Sequence, residues 1–222
     1  MRVLMINSVC GIGSTGRICT DIAQELEKQG HEVKIAYGRD SFVPEQFKKY
    51  AVRIGTDFDV RMHGIKARLF DASGFGSKKA TEKFIDWIRK YDPDVIHLHN
   101  IHGYYINVEI LFNYLKRCNK KIIWTLHDCW AFTGHCSHYT YEHCEKWKTQ
   151  CKKCEHIDTY PKSFVDNSFK NFYSKKNLFT KIQDLTIVTP SEWLKKQVEC
   201  SFLKEYKVQV MISLCQVDTQ NN

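Results

Sequence analysis

The chain has 222 residues, 43% of them hydrophobic and 26% charged, which is ordinary for a globular protein and enough for a sizeable core. Its formal charge of +8 favours anionic partners such as nucleotides, pyrophosphates or lipid headgroups; without an RNP-type aromatic stretch or a basic heptad region it argues against nucleic acid. No apolar run approaches the ~20 residues that span a bilayer, and the apolar start at Met1–Asn7 is too short for a signal-peptide core, so the sequence reads as cytoplasmic.

The first predicted element is a short strand, Val3 to Ile6, followed by a glycine turn from Cys10 to Gly16. Ile18, Ile22 and Leu26 then recur at helical spacing, Gly30 stops that helix, and Val33–Tyr37 is a second strand, which completes a βαβ unit. Val52–Ile54 is a short strand, and Met62, Ile65, Leu69 and Phe70 mark an amphipathic helix. Ser77 is placed to cap a helix running to Tyr91, with Ala80, Phe84, Trp87, Ile88 and Tyr91 inward; Pro93 stops it because a residue before proline disfavours helix. Asp94–His99 is a strand, Asn107 caps a helix carrying Leu111 and Leu115, and Ile122–Leu126 is a strand ending at His127-Asp128. A Cys-rich insertion covers 129–161, and an aromatic helix spans about 169–179. Leu185–Thr189 is a strand, Ser191 caps a helix through Glu199, and Val208–Ser213 is the last strand. Apolar strands alternating with helices predict an α/β fold, a Rossmann-like parallel sheet covered by helices on both faces.

In such a fold ligands bind at the C-terminal ends of the strands. Four turns lie there: Gly11–Gly16, His99-Asn100 with His102, His127-Asp128, and Pro190-Ser191. Gly11, Gly13 and Gly16 match the spacing of a dinucleotide fingerprint, and the helix after them offers free N–H groups to an anion. Two details oppose a nicotinamide cofactor. Residues 7–10 separate strand from glycine, and Tyr37-Gly38 stands where an acid would hold the ribose. Arg17 rather than Lys follows the last glycine, so the turn is not a P-loop, and a tight turn without a ligand stays open. His97 and His99 share one face of their strand, but two ligands are too few for a metal site. In His127-Asp128 adjacent side chains point apart, so His127 is expected to face the cleft while Asp128 holds the loop; from spacing alone a purely structural hydrogen bond of His127 stays open and is the simpler reading.

Of the ten cysteines, five lie between Cys129 and Cys154. Cys136, Cys144, Cys151 and Cys154 include a C-x2-C pair and form a candidate four-thiolate structural zinc site; His135, His138 and His143 are competing ligands, and a set of reduced thiols stays open as the alternative.

Taken together the motifs resemble family-4 retaining glycosyltransferases. The carriers are the opening strand with its Gly-x-Gly-x-x-Gly-Arg loop, Gly30-His31-Glu32-Val33, Pro93-Asp94-Val-Ile-His-Leu-His99, and Val188-Thr-Pro-Ser191-Glu-Trp-Leu194. Thr125-Leu-His127-Asp128-Cys-Trp130 with Phe132-Thr-Gly-His-Cys136 is similar to a subgroup that builds bacterial surface polysaccharides. The resemblance implies one Rossmann-like half of a GT-B fold over 1–213, the half that binds the acceptor, while a second domain binds the nucleotide-sugar donor. It implies that His127 is the catalytic residue, positioning the donor sugar, and that the Gly11–Gly16 loop with Arg17 lines the cleft near the donor phosphates. His99, Asn100, His102, Asp128 and Ser191 are the further candidate substrate contacts. It implies no catalytic metal, a saccharide or lipid-linked acceptor, and contact with the inner face of a membrane. Val217-Asp218 is similar to the turn that leads into the donor domain, so 214–222 is expected to be a truncated linker and the chain to be incomplete alone. The alternatives are a non-catalytic acceptor-binding module and, on the glycine turn alone, a nucleotide-cofactor oxidoreductase.

Overall fold

Seven strands, all parallel, form one sheet in the order β3-β2-β1-β4-β5-β6-β7 in the computed structural model, which describes residues 1–139 and 144–211. The chain runs β1 (Arg2–Ile6), α1 (Gly13–Lys28), β2 (Glu32–Tyr37), β3 (Ala51–Arg53), α2 (Asp57–Phe70) and α3 (Lys78–Tyr91). It continues through β4 (Val95–Leu98), α4 (Val108–Leu115), β5 (Lys121–Thr125), α5 (Ser168–Phe179), β6 (Leu185–Thr189), α6 (Glu192–Glu199) and β7 (Lys207–Val210). The β1 strand shows why the sheet is covered twice. Leu4 and Ile6 point into a core with Phe84 and Ile88 of α3 and Leu111 and Phe112 of α4, while Val3 and Met5 point into a second core with Cys19 and Ala23 of α1. This is the Rossmann-like α/β architecture expected from the strand and helix alternation.

Strand order reverses direction at β1. The chain first builds outward through β2 and β3, then crosses to the other side of β1 with β4. The C-terminal ends of β1 and β4 therefore flank the switch point, where this class of sheet leaves a crevice.

Several local expectations hold and several are corrected. Asn107 and Ser191 cap α4 and α6, their side chains accepting from Ile110 N and Leu194 N. Ser77 does not cap α3: it sits in the left-handed region at φ 51°, and its hydroxyl is occupied by His63 Nδ1 at 2.9 Å. The buried face of α1 is Gly16, Cys19, Thr20 and Ala23, with Ile18, Ile22 and Leu26 only half-buried, because small residues allow the helix to lie close on the sheet. In α2 the residues turned inward are His63 and Ala67, and the apolar stripe Met62, Ile65, Leu69 and Phe70 faces outward. The β7 strand ends at Val210, and the remainder of the expected last strand from Ser213's neighbour at 212 onward, the 214–222 linker and the Val217-Asp218 turn lie outside the described residues, as does His143.

Candidate functional site

Three of the four turns are tied together at the C-terminal edge of the sheet. After β1, the Asn7 side chain donates to Val9 O (2.8 Å) and to Thr15 Oγ1 (3.3 Å), and its Oδ1 accepts from Asn100 N (3.2 Å). One amide thus joins the glycine loop to the loop after β4. The loop closes on itself through Gly11 N donating to Gly16 O at 3.3 Å. Gly11 has φ +73°, and a Cβ there would stand 2.6 Å from the Phe47 ring, so this turn requires glycine. The first helical residue of α1 is Gly13, its N-cap Ile12 provides no side-chain acceptor, and no acid lies in the first turn. The N–H groups at that end face the edge with their positive dipole end uncapped. Arg17 lies exposed one turn on and makes no ion pair among the described residues.

From β4 and β5 comes a stack of imidazoles. His97 and His99 have ring centroids 4.1 Å apart, as two side chains on one strand face should. His99 Nδ1 lies 3.1 Å from His127 Nε2, and His97 Nε2 lies 2.8 Å from Thr125 Oγ1. Burial, and then the neighbouring His127, pushes His97 down to about 4; burial, and then His97 and His127, pushes His99 well down. His127 is lowered too, by burial first, with Asp128 opposing and His102 adding to the shift. The stack is therefore neutral at pH 7, and His127, half-buried at the open end, acts as a neutral hydrogen-bonding group rather than a cation.

Asp128 faces away from His127. Its Oδ2 is 2.7 Å from His102 Nε2, and its Oδ1 accepts from Trp130 N at 2.9 Å, so it fixes the loop. Burial alone would raise Asp128, but the His102 charge and hydrogen bond and the Trp130 amide more than offset it and keep the carboxylate ionised. His102 Nδ1 meets Tyr160 Oη at 3.3 Å, and the Arg39 guanidinium stands over the Tyr160 ring at 5.9 Å. Ser191 shares the edge, but its side chain is engaged in capping α6, and among the described residues no hydrogen bond joins it to the histidines. Asn7, Arg39, Tyr104 and Tyr160 were not singled out from sequence. Tyr160 is supplied by the Cys-rich insertion more than thirty positions after β5, at about the far end of that segment, where no periodicity signals its return.

A pH dependence of stability follows from the buried histidines. His63, like His97, is pushed to about 4, by burial first; its Nε2 accepts from Gly74 N and Gly76 N, which fixes it as the neutral form. Folded values below the unfolded 6.5 mean that the unfolded chain takes up protons between pH 6.5 and 4 that the folded chain refuses. Stability is therefore full above that window and falls as pH drops through it, by roughly 4 kcal/mol for the two groups between pH 7 and 5. Urea midpoints at the two pH values measure this, and equal midpoints contradict it.

The insertion carries an aromatic core of its own. Trp130, Phe132 and Trp147 are almost fully buried, and Phe132 and Tyr139 pack on Trp147 at 5.3 and 5.0 Å. The Lys175 ammonium of α5 lies 3.6 Å over the Trp130 ring and donates to Trp130 O and Thr133 O; burial pushes it down to about 7. The four cysteines expected to bind zinc, Cys136, Cys144, Cys151 and Cys154, do line one cavity together with His135. As they stand, however, no group of three or more His, Cys, Asp or Glu side chains among the described residues is arranged to hold a metal ion. The expected four-thiolate site is thus not preformed: the Cys136 and Cys154 thiols hydrogen-bond to each other, and Cys151 Sγ accepts from Gly134 N at 3.2 Å.

The family model described as Glycosyltransferase Family 4 matches residues 15–210. The chain is 27% identical over 207 residues to the putative colanic acid biosynthesis glycosyl transferase WcaC of Escherichia coli (strain K12), covering 86% of this chain and 49% of the relative. The chain spans about half the length of that curated relative.

Proposed function

The chain belongs to glycosyltransferase family 4, and from that premise we propose that it is the acceptor-side domain of an enzyme of surface-polysaccharide assembly. The reaction moves a sugar from a nucleotide-sugar to a hydroxyl of a glycan or lipid-linked acceptor, releasing the nucleoside diphosphate and a proton. The donor is held by a second domain of the kind the family carries, closing over the C-terminal edge of this sheet. One observation carries the reading: the glycine loop, the His99–His127 pair and the Asp128–His102 pair converge at the switch point, joined by Asn7. In this reading neutral His127 positions the donor sugar, the uncapped start of α1 and Arg17 face the donor phosphates, and Asn100, His102 and Asp128 form the acceptor wall. Gly11, Gly13 and Gly16 keep the loop low enough for that approach, and Ser191 sets the α6 end of the edge. Sugar transfer by a protein carrying both domains, compared with its His127→Ala variant, tests the assignment.

The acceptor is brought to this edge at a membrane surface. No helix among the described residues is long and apolar enough to cross a bilayer. The α2 helix instead exposes Phe58, Met62, Ile65 and Leu69 at successive intervals of four, three and four positions, with exposures from 44% at Leu69 to 70% at Phe58. Phe70, Phe164 and Val165 extend the patch, and Arg61, Lys66 and Arg68 flank it. An apolar stripe rimmed by cations fits the interface of an anionic lipid leaflet. The same helix begins directly after β3, and its His63 packs against Tyr104 of the loop after β4 at 5.8 Å, which sets the patch beside the cleft. Flotation with anionic vesicles measures the contact. The chain should float, an Ile65→Ser/Leu69→Ser variant should stay in solution, and both should retain the same urea midpoint. Equal behaviour of the two, with or without flotation, would show the stripe to be covered by something other than lipid.

A further inference from the structure

Arg39, Tyr104 and Tyr160 stand at the sheet edge beside His102, and the transferase reading leaves them without a role. Arg39 follows β2, and its backbone is pinned to the loop after β1: Gly38 N and Arg39 N both donate to Ser8 O, at 3.3 and 2.9 Å. Its stem lies along Gly103 of the loop after β4, where a Cβ would come within 3.5 Å of Arg39 Cδ and 4.0 Å of Nη1. Gly103 has φ +108°, so the turn beneath that stem is one that glycine adopts without strain. The guanidinium ends 5.9 Å from the centre of the Tyr160 ring, within reach of a cation–π contact. Three separate segments thus hold one cation at the edge. Among the described residues no carboxylate pairs with it. Asp40, next in sequence, is turned to accept from Phe42 N at 2.9 Å, and Asp128 is held by His102 and Trp130 N.

Beside the cation lies a polar aromatic wall. The Tyr104 and Tyr160 rings meet edge-on at 6.2 Å with their hydroxyls hydrogen-bonded to each other, and Tyr160 Oη also meets His102 Nδ1 at 3.3 Å. Burial pushes Tyr160 up to about 12, so its hydroxyl stays a neutral hydrogen-bonding group. Such rings suit a sugar, whose C–H face packs on an aromatic ring while its hydroxyls take hydrogen bonds. A guanidinium without a carboxylate partner suits an anion on that sugar, because its planar fork matches phosphate and carboxylate alike. Resting on the acceptor-side reading of this edge, we infer that Arg39 is a specificity-determining residue: it binds an anionic group, phosphate or carboxylate, carried by the acceptor sugar, while Tyr104 and Tyr160 pack against the sugar itself. Its place separates this contact from the donor. Arg39 stands over Tyr160, which His102 ties to Asp128 of the acceptor wall, whereas the donor phosphates are assigned to Arg17 and the start of α1. A neutral acceptor would forgo only this contact, so Arg39 selects the acceptor and takes no part in the chemistry.

The test is an NMR titration of the chain with common hexoses, each offered in three forms: joined through a diphosphate to a short prenyl chain, as the methyl hexuronide, and as the neutral methyl hexoside. One anionic form should bind about tenfold or more tightly than the neutral form, and that preference should shrink as salt is added. Preference for the prenyl diphosphate form assigns the anion to the lipid linkage, and preference for the hexuronide assigns it to the sugar. Arg39→Gln should remove the preference and its salt dependence while leaving the neutral form's affinity and the urea midpoint unchanged. Arg39→Gln binding both anionic forms as tightly as the unaltered chain overturns the assignment and leaves the acceptor-side reading standing. So does an equal loss for neutral and anionic forms, which would make Arg39 a support of the wall. Failure of every form to bind the unaltered chain overturns the acceptor-side reading and the assignment with it.

Discussion

Replacing Asp71 by alanine should lower the stability of the folded chain by about 3–5 kcal/mol, the cost of leaving several buried hydrogen-bonding groups without an acceptor. Asp71 closes α2 in the left-handed region at φ 48°, and nearly every polar atom it has is used. Oδ1 takes His135 Nδ1 at 2.6 Å, Oδ2 accepts from Asn167 N at 3.0 Å, its N–H donates to Ser163 Oγ at 3.0 Å, and its carbonyl accepts from Asn171 at 2.6 Å. One residue of the first half of the domain therefore holds three points of the insertion and its exit, together with the start of α5. Alanine would leave buried His135 Nδ1 without its hydrogen-bond partner and Asn167 N without an acceptor. Asp71→Asn retains the shape and some of the hydrogen bonds, so it should fall between wild type and alanine. Urea unfolding of the three proteins checks the order. A midpoint unchanged in Asp71→Ala would mean that the insertion is held by its aromatic core alone.

The contrast between Asp71 and the strands shows what the sequence made legible. Strands such as Ile122–Leu126 and Leu185–Thr189 announce themselves because both faces are buried, which requires an unbroken apolar run. The edge residues His99, His127 and Asp128 were legible for the same reason: they stand where those runs stop. Asp71 gave no such signal, since its partners lie more than 60 residues away at His135 and near 100 away at Asn171, and separations of that kind leave no period in the sequence. The α2 face was misleading rather than silent. Met62, Ile65 and Leu69 carry the spacing of a core helix, yet they face outward, and periodicity records an apolar face without saying what covers it. Ser77 failed as a cap because capping needs extended backbone, and the His63–Ser77 contact holds it at φ 51° instead. The cysteine spacing brought the four thiols to one cavity but could not show that Cys136 and Cys154 hydrogen-bond to each other there while Cys151 accepts from Gly134 N.

The largest functional effect is expected at His127. Its Nε2 is committed to His99, whose own position is fixed by β4, so His127 presents the rest of its ring to the edge in one orientation. Burial keeps it uncharged at neutral pH, which suits a hydrogen bond to a sugar hydroxyl and avoids competing for the donor phosphates. Removing a preorganised hydrogen-bonding group of this kind should reduce turnover by about 100-fold. Acceptor affinity should change much less, because His102, Asp128 and Asn100 remain in place. A fall in affinity with turnover preserved would instead make His127 part of the acceptor wall.

The central claim is that this domain supplies one wall of a transferase cleft and needs a donor-binding domain for the reaction. Transfer of labelled sugar from a nucleotide-sugar to a lipid-linked saccharide measures it, with the chain alone, with the chain joined to a family-4 donor domain, and with His127→Ala in the joined protein. The account predicts acceptor binding without turnover in the first, multiple turnover in the second, and a loss of about 100-fold in the third. Multiple turnover by the chain alone, or full turnover by the joined His127→Ala protein, contradicts it.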